Sequence, residues 1–356
     1  MALQPLAVPG IYAFSDFSRD EPLLTSCHLV TTEAGNMLID PLPMDDRSHR
    51  EIERMGGVML VVVMTPARAA HTAAFSERYG ASIIDKVKHR QPLLGGSFAI
   101  ALGGQGKSDA FAAAVADRAT VVVGDVLIGS PGGGLSLPFQ SDDESARTAA
   151  LGLRPILQQN PQRLLLGQGQ SLYNDAYATL YRLLYATAGA AVHRINLDEL
   201  DYSDGRDERD VEPSQFRVAD AEVGFAIGAR MLGYRVSTLL PGFKFCPLHG
   251  HAREEEMFFV LDGAPSVRTL KGTIRCRKGD FIALPAGETG THQLLNESDA
   301  PATVLLLGRT EEVEACYYPD SDKLLLDTPT PFVRGEQSII VRGTPSLDYF
   351  DGEEPA

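Results

Sequence analysis

Features that would tie this chain to a membrane, to nucleic acid or to an oxidising compartment are scarce. No apolar run approaches the ~20 residues that a membrane span needs, and the opening MALQPLAVPGIYAF has no basic n-region, so neither a span nor a secretory leader is expected. The four cysteines, Cys27, Cys246, Cys276 and Cys316, lie far apart, with no CxxC pair and no small disulfide framework. A reduced, cytoplasmic setting is the expectation. Basic residues are also short: 32 Lys and Arg stand against 47 Asp and Glu, a formal net charge of −15. The resulting pI is near 5.0. Such a surface repels phosphate backbones and anionic headgroups, which excludes a sequence-independent hold on nucleic acid or membrane. The partner class that remains is a small-molecule ligand or substrate. No internal repeat of solenoid period is present.

What is there suffices for two cores. The chain has 356 residues, 44% hydrophobic and 22% charged, more than one core usually holds. In the first half, strand-like runs at residues 36–39 (NMLI), 58–64 (VMLVVVM) and 120–123 (TVVV) alternate with alanine-rich helical stretches at 67–79 and 107–116, and 171–186 places Leu180, Leu183 and Leu184 at helical spacing. That alternation predicts an α/β layer domain over residues 1–195. The Gly-rich SPGGGLSLP (residues 130–138) lacks the Lys-Ser/Thr of a phosphate loop and reads as a plain loop. Residues 198–212 (DELDYSDGRDERDVE) then hold eight acids and two arginines with few apolar anchors. They predict a solvated linker over 196–213. From 214 to 356 short apolar runs at 236–240, 257–261, 281–284 and 303–307 are separated by Gly, Pro, Asn and Asp clusters, the pattern of an all-β barrel or sandwich. The tail beyond about 321 predicts irregular structure or an edge strand.

Three histidines and a glutamate stand out in this second half. His249 and His251 are one residue apart, and on a strand positions i and i+2 share a face, so both rings can point into a barrel. Glu256 opens the run MFFVL and shares a face with Phe258 and Val260; His292 lies ahead of Leu294 and Asn296. Singly, each has an ordinary reading: a strand histidine is usually a satisfied or exposed side chain, and Glu256 follows two other acids. Together, four such groups inside a barrel need a metal or a hydrogen-bond network to offset their burial. Three imidazoles and a carboxylate suit one divalent transition metal ion, Fe, Mn, Ni or Zn. Cys246, three residues before His249, is expected on the opposite face, and Tyr317, Tyr318 and Pro319 have no assigned chemistry.

The run GFKFCPLHGHAREEEMFFVLDG resembles the first cupin motif, with Gly242, His249, His251, Glu256 and Gly263 in place, and GDFIALPAGETGTHQLLN resembles the second, with Gly279, Pro285, Gly287, His292 and Asn296. The resemblance spans about 100 residues, from roughly 215 to 320, and implies a jelly-roll barrel with the metal inside. One departure is that four residues, not two, separate Gly287 from His292. This predicts a longer loop beside the metal, with Glu288 as its one candidate acid or base.

Over roughly residues 5 to 190 the chain resembles the metallo-β-lactamase fold, through TTEAGNMLIDP, VVVMTPARAAH, VVVGDVLIGS and LLLGQGQ. That resemblance implies αββα layers and a two-metal site, but the site residues are mostly replaced. Pro66, Arg68 and Ala70 stand where two histidines and an aspartate belong, Gln105 and Gln168 where two further histidines belong, and only His71 and Asp125 survive. Proline has no side-chain donor, and arginine puts a positive charge where cations should sit. The expectation is an inert scaffold serving domain or dimer contacts, the whole forming a homodimer. The alternative is an anion pocket made by Arg68, His71, Gln105, Asp125 and Gln168.

The function these features imply is a metal-dependent enzyme acting on a small oxygenated metabolite, by dioxygenase- or isomerase-like chemistry. The competing reading is a non-catalytic metal-dependent binding or sensing module. Cupins host many chemistries, so the fold does not choose between them.

Overall fold

The computed structural model describes residues 3–16, 23–64, 66–103, 110–203, 215–311, 313–328 and 338–343. Two compact units divide the chain: Met1–Asp201 with Phe225–Gly228, and Tyr202–Gly224 with Ala229–Ala356. Among the described residues no helix is long and apolar enough to cross a membrane.

The first unit is built on an 11-stranded mixed sheet whose main path runs Ser82–Ile84, Leu60–Val62, Gly35–Ile39, Thr25–Thr32, Arg163–Gly169, Thr120–Ser130, Phe111–Val115, Phe98–Ala101. Strict alternation along these strands sorts side chains into different cores. Leu164 and Leu166 pack with residues of the helices Asp143–Gly152, Arg154–Gln158 and Ala176–Ala188, while Leu165 turns to a middle core. On the other half, Leu38 and Val61 pack with Ile52 and Phe75 of the helices Asp46–Arg54 and Thr72–Tyr79, and Met37, Ile39, Leu60 and Val62 enter the same middle core. The middle core draws on both halves of the sheet. Asp45 and Asp142 start two of these helices by accepting the amides of Ser48 and Ser145, each at 2.8 Å.

Three local expectations change. The alanine-rich stretch read as a helix over 107–116 contains instead a strand, Phe111–Val115, while 107–109 lie outside the described residues. Phe111, Ala113 and Val115 face the middle core and Ala112 and Ala114 the helical one, so burial on both faces overrides alanine's helix preference. The stretch SPGGGLSLP is a hairpin turn whose far side, Gly134–Ser136, pairs back on Thr120–Ser130. The acidic segment also begins as structure. Asn196 caps a 3-10 turn at Leu197–Glu199, and buried Asp201 is paired with His89, with Arg90 at 3.5 Å and Gln159 at 3.1 Å. The rest of the predicted linker, residues 204–213, lies outside the described residues.

The second unit is almost entirely β. One sheet orders Ala219–Glu222, Leu232–Leu239, Ala302–Arg309, Glu256–Asp262 and Phe281–Leu284. Gly250–His251, Glu314–Tyr318, Lys323–Asp327 and Ser338–Arg342 form another, and Gly272–Arg275, Ser266–Thr269 and His292–Leu295 a third. A backbone bridge between His249 and His292 joins the last two. The apolar runs of the sequence fall on these strands, and the tail supplies Ser338–Arg342 as an edge strand. The core takes Leu239, Phe258, Val260, Leu294, Val304 and Leu306 from alternating positions, each burial contributing about 1.5–3 kcal/mol.

Candidate metal centre

The two cupin-like segments meet through their backbones. His249 N donates to His292 O at 3.1 Å and His292 N to His249 O at 2.8 Å, which sets the two rings 4.7 Å apart. His251 follows on the short strand Gly250–His251, and Glu256 opens its own strand, as its place ahead of MFFVL predicts. The glycine between the histidines lets the two segments approach closely: a Cβ at Gly250 would stand 2.6 Å from Thr291 Oγ1 and force that side chain to shift. Gly287–His292 holds a 3-10 turn, Glu288–Gly290, in place of an open loop. The turn brings Gly290 O within 2.8 Å of His292 Nδ1. Gly290 cannot carry a side chain, because its Cβ would fall 1.7 Å from Pro285 O.

These contacts decide which ring nitrogens are free. A carbonyl can only accept, so His249 Nδ1 donates to Pro247 O at 3.0 Å and His292 Nδ1 to Gly290 O. In the neutral rings both Nε2 lone pairs are then available. They converge with the other two predicted groups: His249 Nε2 lies 3.1 Å from His251 Nε2, and Glu256 Oε2 lies 3.4 Å from His251 Nε2 and 3.1 Å from His292 Nε2. Glu256 Oε2 is buried with no donor aligned to it. Donor atoms sharing one cation at ~2.1 Å are separated by roughly 3.0–3.4 Å, so this set fits a single divalent ion.

Burial and neighbours tune the same groups. Burial, reinforced by His292 and His251, brings His249 down to about 4. Burial also presses on His251, but contact with Cys316 and Glu256 outweighs it and lifts the ring to about 10. Burial would raise Glu256, yet His251 and His292 hold it well below the usual carboxylate range. The carboxylate is ionised and His249 neutral, as metal ligands must be; a proton on His251 occupies the place a cation would take.

Several residues around the centre escape sequence reasoning. Cys246, expected to point away, sits with Sγ 3.5 Å from His249 Nδ1. Alternation fails there because the segment through Pro247 is bends and turns, not a strand. Cys316 Sγ lies 3.3 Å from His251 Nδ1, directly across the pairing of His251 with Cys316. Tyr318, two residues on, stacks on His249 at 5.8 Å. Glu314, buried, accepts the amides of Ala252 at 2.7 Å, Arg253 at 3.3 Å and Glu254 at 3.0 Å. It thereby clamps the loop linking His251 to Glu256. His251, Glu314 and Cys316 form a second donor cluster, but Glu314 is already committed to three amides. The only signal in the sequence was the i, i+2 spacing of 314, 316 and 318; their register against His251 was not readable.

Glu288 borders a cavity of about 400 Å³ that opens onto His251, with Thr291, Tyr317 and Pro319 also in its wall. In the first unit, Arg68 is buried within the turn Pro66–His71, His71 precedes Thr72–Tyr79, and Asp125 and Gln168 lie on neighbouring strands. Gln105 lies outside the described residues. Among the described residues, no group of three His, Cys, Asp or Glu donors gathers in this unit.

Residues 235–308 match the family model described as Cupin domain, so the second unit carries a cupin domain. A sugar phosphate isomerase from a cupin superfamily of Silicibacter pomeroyi is 28% identical, covering 43% of this chain and 96% of its own, with a TM-score of 0.36. A polyketide cyclase from Streptomyces resistomycificus is 17% identical over 33% of this chain and 79% of its own, TM-score 0.28. A cupin protein from Bacteroides fragilis is 17% identical over 30% and 86%, TM-score 0.23. No curated protein matches the chain.

Proposed function

We propose that the second unit binds one divalent transition metal ion through His249, His251, Glu256 and His292 and acts on a small oxygen-bearing molecule in the adjoining cavity. The observation that carries this reading is the buried, undonated Glu256 Oε2 beside two imidazole Nε2 atoms at 3.1 and 3.4 Å. When bound, a divalent ion supplies a Lewis acid that polarises a ligated oxygen. The chain's own residues hold that arrangement: Pro247 and Gly290 carbonyls fix two rings, and Glu314 fixes the loop between the others. Glu288, on the cavity wall, is the group placed to take or give a proton.

The first unit fits a metallo-β-lactamase-like scaffold whose ligands have been replaced; its mixed sheet, packed against helices in two separate cores, and the motif remnants support that reading. A binding or sensing module without turnover is the second reading, favoured because, among the described residues, Glu288 is the one carboxyl group on the cavity wall. Screening small hydroxy acids, diones and sugars against metal-loaded protein separates the two. Turnover that is lost in Glu288→Gln and on chelation supports an enzyme; saturable binding with no product supports a sensor.

A further inference from the structure

The cavity beside His251 has a one-sided chemistry. Its wall is mostly apolar, with Leu270, Ala315, Tyr317, Pro319 and Leu324, and its acid is Glu288. Among the described residues no lysine or arginine lines it. The cations nearest in sequence stand outside the wall: Arg253 reaches Glu311 at 3.3 Å, Arg268 makes a two-pronged pair with Asp320 at 2.6 and 2.9 Å, Lys323 Nζ sits 5.1 Å over the ring of Tyr318, and Lys271 is exposed.

From this we infer that the site selects a ligand with a chelating oxygen head and an uncharged, apolar body, and discriminates against phosphorylated or otherwise dianionic molecules. The inference rests on the metal reading above. A phosphate group needs charge-assisted donors such as arginine or lysine, and here, beyond His251 at the metal, it would meet the Glu288 carboxylate, the Thr291 hydroxyl and mostly hydrocarbon. A planar or branched apolar body loses nothing by burial against Leu270, Tyr317 and Leu324. A volume of about 400 Å³ lies within the range of small-molecule sites and is ample for a ring and a chelating head. The charge arithmetic agrees: a divalent ion with one carboxylate ligand leaves a single positive charge, enough for a monoanionic chelator.

Three hydroxamates that share one chelating head test this by titration calorimetry on the full-length, metal-loaded protein: acetohydroxamate, benzohydroxamate and phosphonoacetohydroxamate. Metal content is measured separately by elemental analysis. Benzohydroxamate should bind at least about tenfold more tightly than acetohydroxamate, from burial of its ring. Phosphonoacetohydroxamate should bind more weakly than acetohydroxamate. Glu288→Lys should raise the affinity for the phosphonate relative to acetohydroxamate, and Leu270→Asp should remove the benzohydroxamate advantage. A metal-loaded protein that prefers the phosphonate, shows no preference for the ring, or binds none of the three overturns the inference and leaves the metal centre standing. A protein that takes up no metal overturns the metal reading, and this inference with it.

Discussion

His249 and His292 sit opposite each other across a reciprocal pair of backbone hydrogen bonds, 3.1 and 2.8 Å long, so two side chains far apart in sequence are registered by main chain alone. Each ring is then oriented by a carbonyl close to it in its own segment, Pro247 O or Gly290 O. The centre is therefore preorganised by peptide groups, which substitutions of outlying side chains leave in place.

The loop between His251 and Glu256 is held differently, by one side chain. Replacing Glu314 with alanine leaves three amides that its carboxylate now accepts without a partner. We expect metal affinity to fall about 10–100-fold although Glu314 is not a proposed ligand, with a stability loss of about 3 kcal/mol or more. Calorimetric metal titration and urea unfolding of Glu314→Ala read the two effects. Unchanged affinity would show that the loop is held by something else.

Metal binding should release protons at neutral pH. His251 is lifted to about 10, so it is protonated at pH 7, and its Nε2 must lose that proton to ligate. Affinity should therefore rise with pH between about 6 and 9. Calorimetry in two buffers of different ionisation enthalpy should give about one proton released per ion bound. Release of no proton would mean that His251 is not a ligand, or is neutral beforehand.

A pKa shift in the opposite direction resides in the first unit. Burial holds His28 down to about 4, against about 6.5 in an unfolded chain. Between those values the unfolded chain binds more protons, so stability rises with pH. The contribution is complete above about 6.5 and is lost, by roughly 3 kcal/mol, as pH falls toward 4. Denaturant unfolding of His28→Gln at pH 7 and pH 4.5 should show a shallower pH dependence than the parent chain; equal slopes would contradict the assignment.

The convergence of the four candidate side chains was legible because strand geometry is local: HGH on one face, Glu256 opening MFFVL, His292 ahead of alternating residues. The barrel strands were legible for the same reason. The 111–115 strand was not, since alanine's helix preference gives no hint of a position buried on both sides. Cys246 lies beside His249 because the chain bends through Pro247, where strand alternation does not hold. Glu314, Cys316 and Tyr318 depend on a pairing register that no local pattern encodes. Asp201, one acid among eight, became buried through His89 and Gln158, partners remote in sequence.

The metal stoichiometry of the purified full-length chain, with His251→Ala, Glu256→Ala and His71→Ala beside it, tests the central claim most directly. Each protein is stripped, offered Fe, Mn, Ni or Zn under anaerobic conditions, and analysed for bound metal after desalting. The account predicts about one ion per parent chain, retention close to parental in His71→Ala, and loss of affinity by orders of magnitude in the other two, because deleting one of four ligands removes a coordinate bond. A parent chain that takes up none of these metals, or a His71→Ala variant as impaired as His251→Ala, would contradict it.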